Sequence, residues 1–281
     1  MTALSVEDPV DPTDPRLDPE HATATGAAPA GRAAVVTGAS SGIGRATALR
    51  LARTGWQVLA VARRTDRLEG LAVEAADLPG TVTVVPADLT TEEGVAAVLA
   101  AAEAVGGVDT LVNIAGGARG VDAVAEARTE DWEWMFQANV MATLRLTRAF
   151  LPMLRAHGEG TVLVLSSTAG LVAYEGGAGY NAAKFAEHGM VGALRLEEAE
   201  HNVRVVEVLP GMVRTEEFSL QRLGGDQAAA DAVYAGVEKP LTAEDVADVC
   251  AYALEVPHHV NLDQIVLRPV AQAAQHKVIR R

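Results

Sequence analysis

The 281-residue sequence has a single cysteine, few aromatic side chains, more acids than bases and no long apolar run. Because one cysteine cannot form an internal disulfide bond, Cys250 favours a reducing compartment such as the cytoplasm. Charged residues interrupt every apolar stretch before it reaches the ~20 residues that a membrane-spanning helix requires. The net charge of −14 argues against a nucleic-acid partner, which would favour a basic surface. The composition therefore predicts a cytoplasmic protein that binds neither membranes nor nucleic acids.

Residues 1–30 are acidic and rich in proline, and they contain almost no large apolar side chains. This composition differs from the basic and apolar pattern of a secretory signal. Such a segment buries too little apolar surface to offset the entropy lost on ordering. We expect a disordered tail at residues 1–30, one domain at 31–270 and a second tail at 271–281. A regulatory or partner-binding role for the first tail is the alternative.

From residue 31 onward, segments with the pattern of strands alternate with segments that have the pattern of helices. The predicted strands are Ala33–Thr37, Gln57–Ala62, Thr81–Pro86, Asp109–Asn113, Thr161–Ser166, Val203–Leu209 and Asp263–Arg268. The predicted helices are Gly44–Thr54, Thr65–Ala76, Glu92–Val105, Thr129–His157, Tyr180–Glu200 and Ala243–Glu255. The strands are rich in valine and leucine without polar alternation, which is typical of a parallel sheet covered on both faces. The pattern predicts a single α/β domain with a doubly wound parallel sheet of about seven strands.

A glycine-rich stretch, Thr37–Gly44, lies between the first predicted strand and the first predicted helix. Its glycines Gly38, Gly42 and Gly44 are spaced GxxxGxG, which differs from the GxGxxG dinucleotide fingerprint. Glycines let a backbone approach a phosphate closely, and free N–H groups at a helix start attract its negative charge. We expect this loop to bind a phosphate group. A tight strand–helix turn without a ligand is the alternative.

Two arginines, Arg63 and Arg64, follow the second predicted strand, where nucleotide-binding folds meet the adenosine ribose. An acid at this position binds a ribose 2′-OH, whereas a planar guanidinium matches a 2′-phosphate. Because the strand ends without an acid, the pattern predicts NADP rather than NAD. A solvated pair at a helix start is the alternative. Asp88, after the third strand, could bind an adenine amino group or cap the next helix.

Tyr180 and Lys184 are four residues apart and therefore share one face of a helix. The pKa of a free phenol, near 10, is too high for a base at neutral pH. An ammonium about 4 Å away is worth roughly 4 kcal/mol at an effective dielectric near 20. That energy could lower the pKa of Tyr180 by about three units. The pair predicts a general acid/base at Tyr180; two unrelated surface neighbours are the alternative.

Two serines and an asparagine add to this predicted site. Ser166 and Ser167 end the fifth predicted strand, and a hydroxyl there could hold a substrate oxygen beside the phenol. The residues by themselves leave open which serine does so. Asn139, on the preceding long helix, could fix that helix, hold a water or be a structural buried amide.

Together these motifs resemble the short-chain dehydrogenase/reductase family from Gly31 to about Arg268. The resemblance rests on Thr37–Gly44, Asp88-Leu89, Asn113–Gly116, Asn139, Ser167, Tyr180–Lys184 and Pro210–Thr215. It implies a Rossmann-like fold, and it implies a catalytic tetrad of Asn139, Ser167, Tyr180 and Lys184. The family's Ser–Tyr spacing selects Ser167 over Ser166. Ile114 departs from the family, which usually has a second asparagine there.

The resemblance also implies how the residues at 31–270 would act as a dinucleotide-binding oxidoreductase domain. NADP would contact Gly38, Ser40, Ser41, Gly42, Ile43, Gly44, Arg63, Arg64, Asp88, Leu89, Asn113, Ala115, Gly116, Tyr180, Lys184, Pro210, Gly211, Val213 and Thr215. Tyr180 would pass the proton, and Lys184 would lower its pKa and bind the nicotinamide ribose. Ser167 would hold the substrate oxygen, and Asn139 would support a proton relay. The family further suggests a homotetramer.

Segments of the last third are similar to NADP-dependent 3-hydroxy acid dehydrogenases, which oxidise serine, allo-threonine and related acids. These segments are Tyr174–Gly177, Glu217-Phe218, Leu241–Ala247, Val256–Leu262 and Arg268–Gln272. The likeness implies an NADP(H)-dependent oxidoreductase that interconverts a secondary alcohol and a ketone, with a small 3-hydroxy acid as substrate. Three alternatives are a 3-oxoacyl-thioester reductase, a ketoreductase of specialised metabolism and a non-catalytic NADP(H)-sensing protein.

The remaining predictions concern two arginines, one loop segment and two histidines. Arg119 and Arg214 are candidate partners for a substrate carboxylate, or they face solvent. Residues 214–236 are expected to form a mobile cover over the substrate. No metal is expected, because His258 and His259 are adjacent and no cluster of ligands accompanies them.

Overall fold

Valine- and leucine-rich segments form a parallel sheet in the computed structural model, which describes residues 31–281. Its seven strands are β1 (Ala33–Thr37), β2 (Gln57–Ala62), β3 (Thr81–Pro86), β4 (Thr110–Asn113), β5 (Thr161–Leu165), β6 (Arg204–Pro210) and β7 (Gln264–Leu267). Their order is β3-β2-β1-β4-β5-β6-β7, and each neighbouring pair is parallel. Helices cover both faces, so the predicted Rossmann-like, doubly wound α/β sheet is confirmed. The predicted tail at residues 1–30 lies outside the described residues.

Helices alternate with the strands along the chain. They are α1 (Gly42–Arg53), α2 (Thr65–Glu74), α3 (Glu92–Ala104), α4 (Thr129–Met135), α5 (Ala142–His157), α6 (Ala178–Glu198), α7 (Phe218–Arg222), α8 (Gln227–Tyr234) and α9 (Ala243–Glu255). A π-helical segment, Phe136–Met141, joins α4 to α5, so the long helix predicted there is confirmed as one helical stretch. Within residues 31–281, no helix has both the length and the apolar character needed to cross a bilayer.

Two apolar clusters lie on opposite faces of the sheet, because successive strand residues point to opposite sides. In β1, Val36 faces the cluster that contains Trp56 and Cys250, whereas Val35 faces the cluster that contains Phe150. Cys250 is fully buried, and burial raises the pKa of its thiol to about 12. This cysteine is therefore a core residue.

Helix α9 begins at a capping box, as its sequence predicts. Thr242 Oγ1 accepts a hydrogen bond from the Asp245 amide at 3.2 Å, and Asp245 Oδ2 accepts one from the Thr242 amide at 2.8 Å. These bonds satisfy amides that the first turn of a helix otherwise leaves without a partner.

Two segments contain secondary structure that the sequence analysis did not predict. The expected cover at residues 214–236 contains the short helices α7 and α8, which contact each other. The expected tail at residues 271–281 contains an antiparallel hairpin of β8 (Gln272–Ala274) and β9 (Lys277–Val278). Gln272 is buried, and its side-chain oxygen accepts a hydrogen bond from the Met212 amide at 2.8 Å. This contact ties the hairpin to the segment that follows β6.

Candidate active site

The glycine-rich loop between β1 and α1 lies at the carboxyl edge of the sheet, where parallel α/β folds bind ligands. Gly38 has a φ of +69°, and a Cβ at this position would lie 3.1 Å from the amide nitrogen of Ala115. A Cβ at Gly44 would collide with the carbonyl group of Gly38. The loop therefore requires glycine at both positions. Ile43 packs its side chain against the core, which leaves the backbone at the start of α1 as the ligand-facing surface.

Arg64 holds a cluster of polar side chains beside this loop. Its Nη2 donates to Ser40 Oγ at 2.9 Å and to Ser41 Oγ at 3.0 Å. Its Nη1 donates to Glu217 Oε1 at 2.7 Å, and Ser41 Oγ donates to Glu217 Oε2 at 3.0 Å. The carboxylate of Glu217 thus receives the charge-assisted hydrogen bonds that suit a bound oxyanion. Sequence reasoning gave Glu217 no role here, because it lies 153 residues from Arg64 along the chain.

The other residues predicted at the adenosine end have different surroundings. Arg63 is exposed, and Leu89 is partly buried against the core. Asp88 Oδ1 accepts hydrogen bonds from the amide and the hydroxyl of Thr90 at 3.0 and 2.7 Å, and the amide bond is the main cause that holds the pKa of Asp88 below its ordinary value. The N-cap of α3 is Thr91, so the alternative that Asp88 caps this helix is wrong.

Thr37 holds the segment after β4 against the glycine-rich loop. Its Oγ1 accepts hydrogen bonds from the amides of Ile114 and Ala115 at 2.8 and 2.9 Å. Asn113 is buried and donates from Nδ2 to Thr147 Oγ1 at 3.2 Å. Sequence analysis did not single out Thr37, although a hydroxyl at the last residue of a strand is a usable signal. The backbone contact at Ile114 does not depend on its side chain, so the departure from asparagine leaves this link intact.

Asn139 is fully buried in the π-helical segment. Its Nδ2 donates to the carbonyl groups of Gly117 and Met135 at 2.9 and 2.6 Å, and its Oδ1 accepts from the Gly117 amide at 3.1 Å. A Cβ at Gly116 would collide with this side chain. The carbonyl group of Asn139 accepts a hydrogen bond from Thr143 Oγ1 at 2.7 Å. The side chain therefore fastens the loop after β4 to the neighbouring helix.

Tyr180 lies in the first turn of α6 and is almost completely buried. Its ring packs edge-on against Phe218, with the ring centroids 5.7 Å apart. Ser167 lies near the phenol and lowers its pKa, and its Oγ accepts a hydrogen bond from the Ala169 amide at 3.1 Å. The hydroxyl of Ser166 is buried and has no hydrogen-bond partner among the described residues. Of the two serines, Ser167 is the one beside the phenol.

Lys184 follows Tyr180 by one helical turn, with its Nζ 6.0 Å from the centroid of the Tyr180 ring. The ammonium donates to the carbonyl group of Leu165 at 3.1 Å and to Glu187 Oε2 at 2.6 Å. Burial is the largest influence and lowers the pKa of Lys184, but the negative charges around it, led by that of Glu187, together outweigh burial and the pKa is raised. Lys184 therefore carries its positive charge inside the protein, next to a carboxylate.

The pKa of Tyr180 is raised rather than lowered. Burial is the largest cause, the charge of Lys184 opposes it and the charge of Glu187 adds to it. The expectation that Lys184 lowers this pKa by about three units is therefore wrong for this structure. The charge of Lys184 does lower this pKa, but the expectation ignored burial and did not include Glu187.

The segment after β6 runs along the other side of the glycine-rich loop. The predicted cofactor contacts in it are Pro210, Gly211, Val213 and Thr215. The amide of Gly211 donates to a carbonyl group in β7 at 2.8 Å, and the carbonyl group of Pro210 accepts from Ser167 Oγ at 3.5 Å. Thr215 lies opposite Gly42, where a Cβ would be 3.4 Å from Thr215 Cγ2. The segment after β6 therefore packs against the glycine-rich loop at Gly42.

Arg222, at the end of α7, lies over the phenol of Tyr180. Its guanidinium carbon is 5.9 Å from the centroid of the Tyr180 ring. Its nitrogens donate to Tyr174 Oη at 2.8 Å, to the Gly176 carbonyl at 2.8 Å and to the Gly120 carbonyl at 3.2 Å. Sequence analysis missed this arginine, because nothing in its spacing relates α7 to α6.

The two arginines that the sequence analysis did propose lie elsewhere. Arg119 stacks on Trp134, with its guanidinium carbon 4.1 Å from the ring centroid. Arg214 lies over the ring of Tyr234 at 5.7 Å and is mostly exposed. Neither contacts Tyr180, so Arg222 is the arginine that the fold brings to the phenol.

Comparison with known proteins agrees with this geometry. Residues 32–222 match the family model described as short chain dehydrogenase. An uncharacterized oxidoreductase of Mycobacterium tuberculosis is 51% identical over 243 residues, which cover 86% of this chain and 93% of that protein. Sulfoacetaldehyde reductase 2 of Chromohalobacter salexigens is 39% identical over 241 residues, which cover 85% of this chain and 94% of that protein.

A solved structure shares the whole architecture. The closed form of a serine dehydrogenase complexed with NADP+ superposes with a TM-score of 0.81 and 33% sequence identity. The superposition covers 89% of this chain and 99% of the serine dehydrogenase chain. From the matched residues, the relatives and the shared fold, we conclude that the chain belongs to the short chain dehydrogenase family.

Proposed function

We propose that this protein is an NADP(H)-dependent oxidoreductase that interconverts a secondary alcohol and a ketone, with a small 3-hydroxy acid as its substrate. The single observation that carries the proposal is the position of Tyr180, Ser167 and Lys184 together at the end of β5, on the carboxyl edge of the sheet that also bears the glycine-rich loop. The solved relative is a serine dehydrogenase complexed with NADP+, and serine is a small 3-hydroxy acid with a primary alcohol, so this relative supports the acid class and not the choice of a secondary alcohol. That cofactor and that substrate class are therefore the first to test.

The proposed cofactor site has a phosphate end and a nicotinamide end. The Gly38–Gly44 loop would cradle the pyrophosphate, and Ser40, Ser41 and Arg64 would donate to the 2′-phosphate in place of Glu217. Arg63 would add a second positive charge. The remaining proposed contacts are Asp88, Leu89, Asn113, Ala115 and Gly116 around the adenosine, and Pro210, Gly211, Val213 and Thr215 around the nicotinamide. When bound, the cofactor would supply or accept the hydride at nicotinamide C4.

The proposed chemistry needs a group that exchanges a proton with the substrate, a positive charge that favours its ionised form, and a hydroxyl that holds the substrate oxygen. Tyr180 would give a proton to the substrate oxygen during reduction and take it back during oxidation. The ammonium of Lys184 would favour the phenolate form of Tyr180 and bind the nicotinamide ribose. Ser167 would hold the substrate oxygen by its hydroxyl. Asn139 would support a proton relay through its carbonyl group while its side chain holds the loop after β4.

A negatively charged substrate is favoured by Arg222. This guanidinium lies 5.9 Å from the centroid of the Tyr180 ring, where its positive charge could attract a carboxylate or sulfonate. One relative of this chain is a sulfoacetaldehyde reductase and another is a serine dehydrogenase, and both of these names denote small substrates with an acidic group. Arg222 therefore supports free acids over thioesters.

Replacing Tyr180 by Phe tests the proposed activity. We expect turnover to fall by about 10²- to 10⁴-fold, because the ring remains while the transferable proton is lost. Binding of NADPH, followed by its fluorescence, should stay close to the wild-type value. Near-normal turnover in this variant would refute the role of Tyr180. Binding of NADPH without oxidation of it by any ketone in a single turnover would favour the sensing protein.

Replacing Arg222 by Gln tests the substrate class. We expect the KM for a small hydroxy acid to rise by about 10- to 100-fold with little change in kcat, since a charge-assisted hydrogen bond contributes about 1.5–3 kcal/mol. Arg214→Gln is the matched control and should leave the KM unchanged. A wild-type protein active on 3-oxoacyl thioesters and inactive on free acids would instead support the thioester reductase.

We also propose that the chain assembles as a homotetramer. Phe136, Leu144, Phe185 and Leu196 are exposed apolar side chains on α5, α6 and the π-helical segment. A groove of about 290 Å³ lies between α4 and α6 on the same side. A second copy that covered these side chains would remove them from water. Light scattering after size exclusion should give four subunits for the wild-type protein and fewer for Phe185→Glu.

A further inference from the structure

Glu187 is a buried carboxylate in the middle of the proposed active site. It follows Lys184 by one turn of α6, and its Oε2 lies 2.6 Å from Lys184 Nζ. Its side chain is 2% exposed and that of Lys184 is 5% exposed. A charge removed from water to this extent is costly unless it has a partner. Burial raises the pKa of Glu187 and the ammonium of Lys184 opposes that shift, so the pair is an interior ion pair rather than a surface contact.

Glu187 also reaches a second member of the proposed tetrad through Thr143. Glu187 Oε1 lies 3.3 Å from Thr143 Oγ1, and Thr143 Oγ1 donates to the carbonyl group of Asn139 at 2.7 Å. The chain of contacts thus runs from Lys184 through Glu187 and Thr143 to Asn139. All four residues are buried, so the chain is closed off from bulk water.

Other charged or titratable groups face this chain from neighbouring elements. Glu207 on β6 is fully buried, and its Oε2 lies 2.8 Å from Nδ1 of His188, the residue after Glu187 on α6. Two further groups, Tyr174 before α6 and Arg222 on α7, lie near the phenol of Tyr180. Only Glu187 contacts the ammonium of Lys184 among the carboxylates of residues 31–281. It is therefore the acid with the greatest effect on that charge.

We propose that Glu187 is a positioning residue that anchors the Lys184 ammonium and sets the pH range in which Tyr180 exchanges its proton. The proposal rests on the function proposed above for Tyr180 and Lys184. The anchoring follows from the 2.6 Å contact, which directs Nζ toward Glu187 and the β5 carbonyl group. The pH effect follows from charge: a carboxylate at this position cancels part of the positive potential that Lys184 exerts on the phenol.

The test replaces Glu187 by Gln, which keeps the shape and the hydrogen-bonding atoms but removes the charge. The titration of Tyr180 is followed by phenolate absorbance in the cofactor-free protein, with the Tyr180→Phe spectrum subtracted. We expect Tyr180 to ionise about one pH unit lower in the variant, because Lys184 keeps its charge and the carboxylate that opposed it is gone. The limb of the pH–rate profile that reports deprotonation of Tyr180 during alcohol oxidation should move in the same direction by a similar amount. A shift to higher pH would mean that Lys184 loses its proton without Glu187, and it would overturn the proposed pH effect.

Glu198→Gln is the matched control. Glu198 is a buried carboxylate on the same helix, but it pairs with Arg155 and lies far from the phenol. Its replacement should leave the titration of Tyr180 unchanged even if it lowers stability. Glu187→Met is a second variant that also removes the negative charge, and it should shift the titration in the same direction as Glu187→Gln.

The outcomes separate this inference from the proposed function. Identical Tyr180 titrations in wild-type protein and in the folded variants at Glu187 would overturn the role of Glu187. A shifted titration without any NADP(H)-dependent turnover would support Glu187 and refute the proposed function. A shift of equal size in Glu198→Gln would also overturn the inference, since the effect would then come from altered packing.

Discussion

The residues proposed to bind cofactor and substrate include two ion pairs, and the two pairs differ in their access to water. One lies beside the glycine-rich loop, at what we call the mouth of the site, and the other lies in the interior. At the mouth, Arg64 and Glu217 are 2.7 Å apart, and their side chains are 40% and 19% exposed. In the interior, Lys184 and Glu187 are 2.6 Å apart, and their side chains are 5% and 2% exposed. The contacts have almost the same length, so distance alone does not tell the pairs apart.

Because the two pairs differ in exposure, the free energy needed to separate each carboxylate from its cation also differs. An exposed ion pair contributes about 0–1 kcal/mol, so a phosphate from solution can replace Glu217 on Arg64 at little cost. Breaking a buried pair leaves an uncompensated charge and costs about 3–5 kcal/mol. We infer that the pair at the mouth exchanges with a ligand, whereas the interior pair stays in place.

The largest expected effect lies at the interior pair. Lys184→Met should lower the free energy of unfolding by about 3–5 kcal/mol, because Glu187 remains buried without its partner. Turnover should fall by at least about 100-fold, since Tyr180 loses the adjacent positive charge. Urea unfolding and steady-state kinetics measure the two effects. The double variant Lys184→Met/Glu187→Gln should regain most of the stability but none of the turnover, and equal stability of all three proteins would contradict a buried charge pair.

A smaller effect is expected at Arg63, the exposed neighbour of Arg64. Arg63→Ala should raise the Kd for NADPH by about tenfold and leave the Kd for NADH nearly unchanged, because only the former has a 2′-phosphate. Fluorescence titration of both cofactors gives the two values. Equal losses for NADPH and NADH would remove the argument that this arginine discriminates between them. Arg53→Ala, in the last turn of α1, is the control for loss of one surface charge.

If a phosphate replaces Glu217 on Arg64, removing the charge of Glu217 should strengthen the binding of NADPH rather than weaken it. Glu217→Gln should lower the Kd for NADPH by about fivefold, because the phosphate no longer competes with a carboxylate for Arg64. Glu216→Gln changes the adjacent, exposed acid and should have little effect. Weaker NADPH binding after Glu217→Gln would mean that Glu217 helps to hold the cofactor, and the comparison of the two pairs would fail.

The smallest effect is a dependence of stability on pH. The hydrogen bond from Arg64 is the main cause that holds the pKa of Glu217 below its ordinary value. The pair therefore stabilises the fold above the pKa of an unfolded glutamate, and this contribution is lost as the pH falls through the folded value. The difference in unfolding free energy between wild-type protein and Glu217→Gln should be below about 1 kcal/mol near pH 7 and decrease as the pH falls below the pKa of an unfolded glutamate. A difference that grows toward acidic pH would contradict the assigned ion pair.

The local parts of the active site were predictable because their signals lie within one or two turns of chain. The spacing of Gly38, Gly42 and Gly44 indicated a ligand loop, and the spacing of Tyr180 and Lys184 placed both on one helix face. The sequence did not predict the direction of the pKa shift of Tyr180. That direction depends on burial, which follows from how α7 covers the phenol.

Contacts between distant segments were not predictable in the same way. Arg222 reaches Tyr174 and Gly176 across more than forty residues of chain, and sequence reasoning chose Arg119 and Arg214 instead. The sequence analysis named Glu217 only within the Glu217-Phe218 segment that is similar to 3-hydroxy acid dehydrogenases. Its pairing with Arg64 depends on the segment after β6 folding back over the glycine-rich loop.

The sequence by itself determined the alternation of strands and helices, the parallel sheet and the positions of the glycines, the phenol and its lysine. These features depend on apolar periodicity and on spacing within one element, which a linear chain records directly. Only the tertiary structure decided which carboxylate faces which cation and how deeply each pair is buried. The reason is physical: the energy of a charge depends on its surroundings in three dimensions, and those surroundings come from segments far apart in the chain.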